Sequence, residues 1–491
     1  MSSEAMTKVF RARSFERVVT VVRTHWLFLL MLISGAVMRV MVSLAYQPAL
    51  LLVRDAHAYL RRAVELDLSP TVFRPMVYPL IIKPLLAIGG LDLVPLMQHL
   101  AGLGMAVLVY LLLVRLGCAR VLAALGTVPV LFEGFQLNVE HFVLSEAFFE
   151  LMIVGALVLL AWSDRPSLAA VGSAGALIAL AGLTRYVGVL VIVPVLVYVL
   201  MRRMGWARLA VLLAAFVIPI GAYSYWAGQA SGEYGVTSKN GFFLYGRVAS
   251  FADCAEFDVP RELERFCFEI PPSERPISRG VWGLEPELTG FNIRNLFRAP
   301  EANGKLLRFS LMAIRNQPLG YAGAVAKDVW RFYEPISPQA KEHNVRTWRF
   351  PRSLKEVDAH PFVVANQGGP PPELGFDDSF RIDSGLSGFM RSYQNVVYAQ
   401  GLLLLLMTVL GLAGAVVGRR TRERGERSLR AESFLFVGAA LVLLVGAVTN
   451  TVYHFRYVIP AIPLLGPAAA LGASAIWSRA PALRERSGRA A

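Results

Sequence analysis

Charge is scarce in this chain. Only 17% of its 491 residues are charged and 55% are hydrophobic, where a soluble domain carries about 25% charged residues. That balance excludes an ordinary soluble protein. Cysteine is scarcer still. With three cysteines the chain is no disulfide-rich secreted scaffold and has no CxxC pair for structural zinc. The strings of soluble enzymes are missing as well: there is no GxxxxGK[ST], no HExxH and no GxSxG. This speaks against nucleotide-driven transport, zincin chemistry and an elbow-borne serine nucleophile. Nothing in the sequence requires a cofactor, and dependence on a divalent metal is left open.

Long apolar runs are what the chain does have. They read as 26–46, 93–114, 121–137, 142–162, 168–184, 186–201, 208–228, 396–417, 433–450 and 457–477. Most are long enough for a bilayer core of about 30 Å. The fold class expected is an all-α polytopic membrane protein of about ten transmembrane helices, with a mixed extracytoplasmic insert domain. The pair that meets at Thr184–Tyr186 also reads as one broken helix. The segment 76–90, apolar but carrying a lysine and prolines, reads as a re-entrant or interfacial helix. The first run is too long for the apolar stretch of a signal peptide, so it reads as a retained span.

The formal net charge of +14 raises the question of nucleic acid. Its distribution answers it. Threading ten spans with the N-terminus inside puts every strong basic cluster between spans on the cytoplasmic side: Arg115, Arg120, Arg165, Arg202, Arg203, the run 419–430, and Arg479, Arg484, Arg486 and Arg489 of the tail. That is the positive-inside pattern of an inner, cytoplasmic membrane protein, with the bilayer and no nucleic acid as partner. The chain then divides into a cytoplasmic N-tail 1–25, an N-terminal membrane core 26–228 with a first outer loop 47–92, an extracytoplasmic domain 229–395, C-terminal membrane helices 396–477 and a cytoplasmic C-tail 478–491. Within the insert, residues 302–335 carry helical periodicity interrupted at Pro318, and 364–379 reads as an extended loop. Cys254 and Cys267 both fall on the oxidising side, where they form a disulfide or stand as two free thiols.

Ionisable residues near a membrane are costly and gather around cavities or partners. Here they collect at the expected outer ends of spans. Asp55 opens a short amphipathic helix whose apolar side is Tyr59, Leu60, Ala63 and Leu66, with Arg61, Arg62 and Glu65 opposite. Aspartate in that place is a favoured N-cap, and it is also a possible base. Arg74 lies in FRPMVYP, Arg185 in GLTRYVG and Arg456 in HFRYVIP. Singly, each arginine reads as snorkelling to the headgroups; together they read as the rim of a shared polar cavity. Glu133, Glu140, His141 and Glu146 cluster around the third and fourth spans, with Glu146 about one turn into the fourth. Arg39, inside the first span, is a candidate partner for Glu146.

The strings RDAHAY, FRPMVYP, VLSEAFF, LTRY and FRYVIP, in that order and on one side, resemble the GT-C class of integral-membrane glycosyltransferases. The branch resembled contains protein mannosyltransferases, aminoarabinose transferases and arabinosyltransferases. The resemblance covers roughly residues 25–228 and 396–477. It implies transfer of a sugar from a polyprenyl-phosphate donor to an envelope glycan, lipid or protein acceptor. It also implies Asp55 as base, Arg185, Arg456 and Arg74 as phosphate ligands, and His57, Tyr59 and Glu146 as lining or orienting residues. The adjacent acidic pair of protein mannosyltransferases is absent, since Ala56 follows Asp55. Two other readings use the same charges: a transporter or lipid flippase with an ectodomain, and a non-catalytic envelope-assembly protein.

Overall fold

Apolar length sets the frame. The computed structural model describes residues 3–51, 53–65, 74–232, 234–237, 239–268, 270–275, 292, 302–335, 343–353, 355–356, 380–399, 401–417 and 429–478. The tail from Arg479, the arginine run over 419–428, the loop 364–379, Leu66 and the side chains of the basic N-tail before Val19 lie outside the described residues. Helices dominate what is described. Five are long and apolar enough to cross a membrane: Val19–Ala45, Leu93–Arg115, Trp206–Ala230, Arg430–Asn450 and Phe455–Trp477. Two bent pairs, Arg120–Phe132 with Gly134–His141 and Ser384–Val396 with Gly401–Val417, raise that to seven if each is one span. The chain is a mostly helical, multi-pass membrane protein.

The difference from ten uninterrupted spans has local causes. The run 121–137 breaks at Gly126 and again at Glu133, giving three short helices, Arg120–Leu125 (α5), Val128–Phe132 (α6) and Gly134–His141 (α7). The run 142–162 starts late, at Glu146, as Glu146–Ala161 (α8). The residues before it pair with the first loop instead: Leu50 N–H donates to the His141 carbonyl and Val143 N–H to the Leu50 carbonyl. Glu146 is therefore the first residue of its helix rather than a turn inside it. The pair 168–184 and 186–201 is separate, with a short 3-10 turn at Tyr186–Val191 between Leu168–Gly182 and Ile192–Met201. The segment 76–90 folds as Val77–Gly89, only 13 residues or about 20 Å long, too short to cross a bilayer alone.

Helix faces sort lipid from core. Along the first helix Trp26, Leu30, Ile33, Val37, Val40 and Leu44 are exposed, while Phe28, Arg39, Val42 and Ala45 are buried. Spacings of three and four put the first set on one stripe, the lipid-facing side of a spanning helix. The last two spans are the innermost, 72% and 78% buried, against 17% for Trp206–Ala230. Helix 401–417 crosses 462–477 closely because Gly472 has no side chain; a Cβ there would collide with the Leu410 carbonyl.

The segment 229–395 divides. Phe242, Tyr245, Phe266 and Phe309 form a small core of their own, closed by a Cys254–Cys267 disulfide. Helices Ala302–Asn316 and Pro318–Arg331 meet at Pro318 as the periodicity predicts, with the proline where a helix start tolerates it. The later part, Val345, Trp348, Phe350 and Met390, instead joins the main core together with the membrane helices. Its strand content among the described residues is Arg381–Ile382, paired antiparallel with Tyr46–Gln47.

Candidate active site

The site assembles around Asp55 because four distant segments end there. Helix Arg54–Glu65 (α2) already includes Asp55 in its first turn, so the aspartate is inside the helix and not its N-cap. Its side chain points to arginines. Oδ1 accepts from Arg74 Nε at 3.1 Å and from Arg74 Nη2; Oδ2 accepts from Arg456 Nη1 at 2.8 Å. Burial raises the Asp55 pKa, but the charges and hydrogen bonds of Arg74 and Arg456 outweigh it and hold the carboxyl below its usual range.

Arg456 is the second residue of the 3-10 turn Phe455–Ala461, with the His454 side chain accepting from its backbone N–H at 3.2 Å. It bridges two carboxylates. Its Nη1 goes to Asp55 and its Nε to Glu146 Oε1. Arg185 Nη1 donates to the same Glu146 oxygen at 2.7 Å and approaches Ser145 Oγ at 3.4 Å. Three guanidiniums thus face two carboxylates, leaving one net positive charge. Glu146 is fully buried and the Arg456 side chain is 9% exposed, whereas that of Asp55 is 34% exposed, so the cluster opens at its aspartate end. Three polar atoms of the cluster are buried and meet no protein partner: Arg456 Nη2, Arg185 Nε and Glu146 Oε2. Natural structures leave few such groups unsatisfied.

Tyr59, one turn from Asp55 on the same helix face, packs under Arg74 at 5.9 Å and edge-on to Tyr78 at 4.9 Å. Burial raises the pKa of its hydroxyl. His57, two residues along, is half-buried and points to another face of α2. Arg62 departs from the expected exposed face: it is buried and donates to the Arg74 carbonyl at 3.3 Å. That bond ties α2 to the turn that carries Arg74.

Arg39 pairs with Glu140, not Glu146. Nε and Nη2 meet the two Glu140 oxygens at 2.8 Å each. The reason is the irregular stretch Phe142–Ser145, which turns Glu140 and Glu146 toward different neighbours. His99 bridges Glu140 Oε2 at 3.0 Å and His141 Nδ1 at 3.1 Å, and His141 reaches the Tyr46 carbonyl. Glu133 caps α7 and accepts from the Ala399 N–H at 3.2 Å. The residue that sequence reasoning missed is Trp348, whose ring lies 5.0 Å from the Arg456 guanidinium. It stands alone in the insert with no periodic or motif signal. Among the described residues no group of three or more His, Cys, Asp or Glu is gathered to hold a metal ion.

A model of the family described as dolichyl-phosphate-mannose-protein mannosyltransferase matches residues 94–227. The matched stretch contains Glu146 and Arg185 but not Asp55, Arg74 or Arg456. It agrees with the GT-C resemblance of the sequence strings. No curated protein matches the chain. A solved structure, ArnT from Cupriavidus metallidurans bound to undecaprenyl phosphate, aligns at 15% identity with a TM-score of 0.39, covering 93% of this chain and 79% of that one.

Proposed function

We propose that the chain is an inverting membrane glycosyltransferase. It moves a sugar from a polyprenyl-phosphate donor to a hydroxyl of a cell-envelope acceptor, with Asp55 as general base. The observation that carries this reading is the joining of Asp55 and Glu146 through Arg456, with arginine N–H groups left buried and unaccepted. Donors without acceptors suit an anionic ligand. A phosphate on a polyprenyl chain meets that need at the edge of a bilayer, because its tail belongs in the lipid.

In the reaction the acceptor hydroxyl gives its proton to Asp55, and its oxygen bonds to the anomeric carbon. The anomeric C–O bond to phosphate breaks, and its electron pair leaves with the polyprenyl phosphate. Arg185, Arg456 and Arg74 hold the charge that develops there. One base and one displacement give inversion, by analogy with single-displacement glycoside chemistry. Glu146 orients Arg185 and Arg456, Tyr59 supports Arg74, and His57 lines the approach.

At rest Asp55 is a weak base, since two arginines hold it below the usual carboxylate range. A donor phosphate competes for those same arginines. As Arg74 and Arg456 turn to the phosphate, Asp55 loses what lowers its pKa and gains basicity. Donor binding therefore precedes activation of the acceptor. The basic segments support a cytoplasmic-membrane location with both termini inside and 229–395 outside, over the site.

The test is complementation. A deletion strain receives the wild-type chain or Asp55→Asn, and envelope glycans are compared by linkage analysis. A sugar restored by the wild type and not by the variant is expected. Full restoration by Asp55→Asn removes the base role; an envelope unaltered by the deletion removes the transfer reading.

A further inference from the structure

We infer that Trp348 is a ligand-binding residue of this site: its indole N–H donates to an oxygen of the phosphate held by Arg456. The inference rests on the phosphate reading above and adds a residue from the insert to it.

Trp348 follows the short helix His343–Arg346 and is 2% exposed. Its backbone is fixed from two sides: its N–H donates to the Val345 carbonyl at 3.0 Å, and its carbonyl accepts from Asn138 Nδ2 at 2.7 Å and Gln394 Nε2 at 3.0 Å. The ring stands edge-on to Phe142 at 5.8 Å and to His454 at 6.1 Å. The Arg456 guanidinium carbon lies 5.0 Å from its centroid. These contacts use the backbone and the ring and leave the indole N–H out. Trp348 Nε1 is buried with no protein acceptor.

Packing alone does not explain a tryptophan there. A phenylalanine would cover Arg456 without burying a donor, and a buried donor without an acceptor is costly. The neighbouring unsatisfied arginine atoms, Arg456 Nη2 and Arg185 Nε, are donors as well. The three side chains are linked, Trp348 against Arg456 and Arg456 with Arg185 on one oxygen of Glu146, so a ligand that presents several acceptor oxygens suits their free donors. A phosphate does so, with each oxygen accepting at about 2.9 Å. A lipid-borne phosphate and a free phosphate share this chemistry.

The experiment uses the full chain in lipid nanodiscs, with short-chain polyprenyl phosphate and inorganic phosphate as separate probes. Trp348→Phe keeps a ring on Arg456 and removes the N–H. The expected result is a Kd for polyprenyl phosphate weakened about tenfold, the scale of one hydrogen bond to a charged group. A second measurement needs no enzyme activity and is read on the wild type: the Trp348 indole ¹⁵N–¹H signal, assigned by its loss from Trp348→Phe, shifts downfield when polyprenyl phosphate binds. A shift with inorganic phosphate too assigns a phosphate site; a shift with the lipid alone assigns a lipid headgroup site. Wild-type binding with neither a shift nor a weakened variant overturns the role of Trp348 and leaves the phosphate reading standing. A wild type that binds neither probe overturns both.

Discussion

Two of the buried arginine–carboxylate centres, one around Arg39 and one around Asp55, differ in how completely their hydrogen-bonding groups are used. Arg39 is closed. Its Nε and Nη2 meet Glu140, its Nη1 meets the carbonyls of Gly35 and Leu131, and Nη2 also meets that of Val130. All five guanidinium N–H groups have acceptors. Glu140 is equally full, accepting from Arg39, His99 and Gln136. The Asp55 centre is open, with unaccepted N–H groups on Arg456 and Arg185 and a bare oxygen on Glu146. A satisfied buried pair pins helices together; an unsatisfied one keeps hydrogen-bonding capacity for a ligand. The same residue types serve both ends, so satisfaction, not composition, tells them apart.

The largest effect that would sharpen this contrast is on stability. Arg39→Met leaves Glu140 charged and buried without its main partner, and about 3–5 kcal/mol is expected to be lost. Thermal unfolding in detergent measures it; a melting point within a degree or two of wild type would collapse the distinction. Next comes activity at the open centre. Asp55→Asn is expected to lower turnover by about 10²-fold or more with the fold intact, read by single-turnover transfer from a radiolabelled lipid-linked sugar. A smaller loss, about tenfold, is expected for Arg185→Lys. It keeps the charge on Glu146 but not the planar guanidinium, and a KM rise for the donor is the signature to seek.

The smallest effect is that of pH on the Asp55 centre. A carboxylate whose folded pKa lies below its unfolded value contributes stability that is fully present above the unfolded pKa, about 4. That contribution is lost only as pH falls through the lower, folded value. Between pH 7 and 5 the melting points of wild type and Asp55→Asn should therefore run parallel, and converge only below about pH 4. Divergence above pH 5 would mean that the two arginines do not hold Asp55.

Much of the site was legible in sequence because polar residues stand out against apolar runs. Asp55, Arg74, Arg185, Arg456 and Glu146 announce themselves that way, and the structure brings all five together. Pairing was less legible. Arg39 lies inside a span, and nothing in the chain says whether Glu140 or Glu146 will face it. The irregular residues 142–145 decide that, and they form because Leu50 takes the backbone bonds there. Arg62 reads as a solvent-facing charge by periodicity, yet a long side chain folds back to reach the Arg74 carbonyl. At 121–137 the run still reads as one candidate span, bent, but hydropathy registers apolar content and is blind to the breaks at Gly126 and Glu133.

By itself the sequence determined the medium and the helical kind of its elements. Apolar runs of bilayer length force backbone hydrogen bonds inward and so force helices, and Pro318 marks where one helix of the insert yields to the next. Tertiary structure alone decided which arginine neutralises which carboxylate, which centre closes and which stays open, and that Trp348, more than 100 residues before Arg456, lies against it. Those outcomes depend on contacts between segments far apart in the chain, and such contacts leave no periodic trace in any one of them.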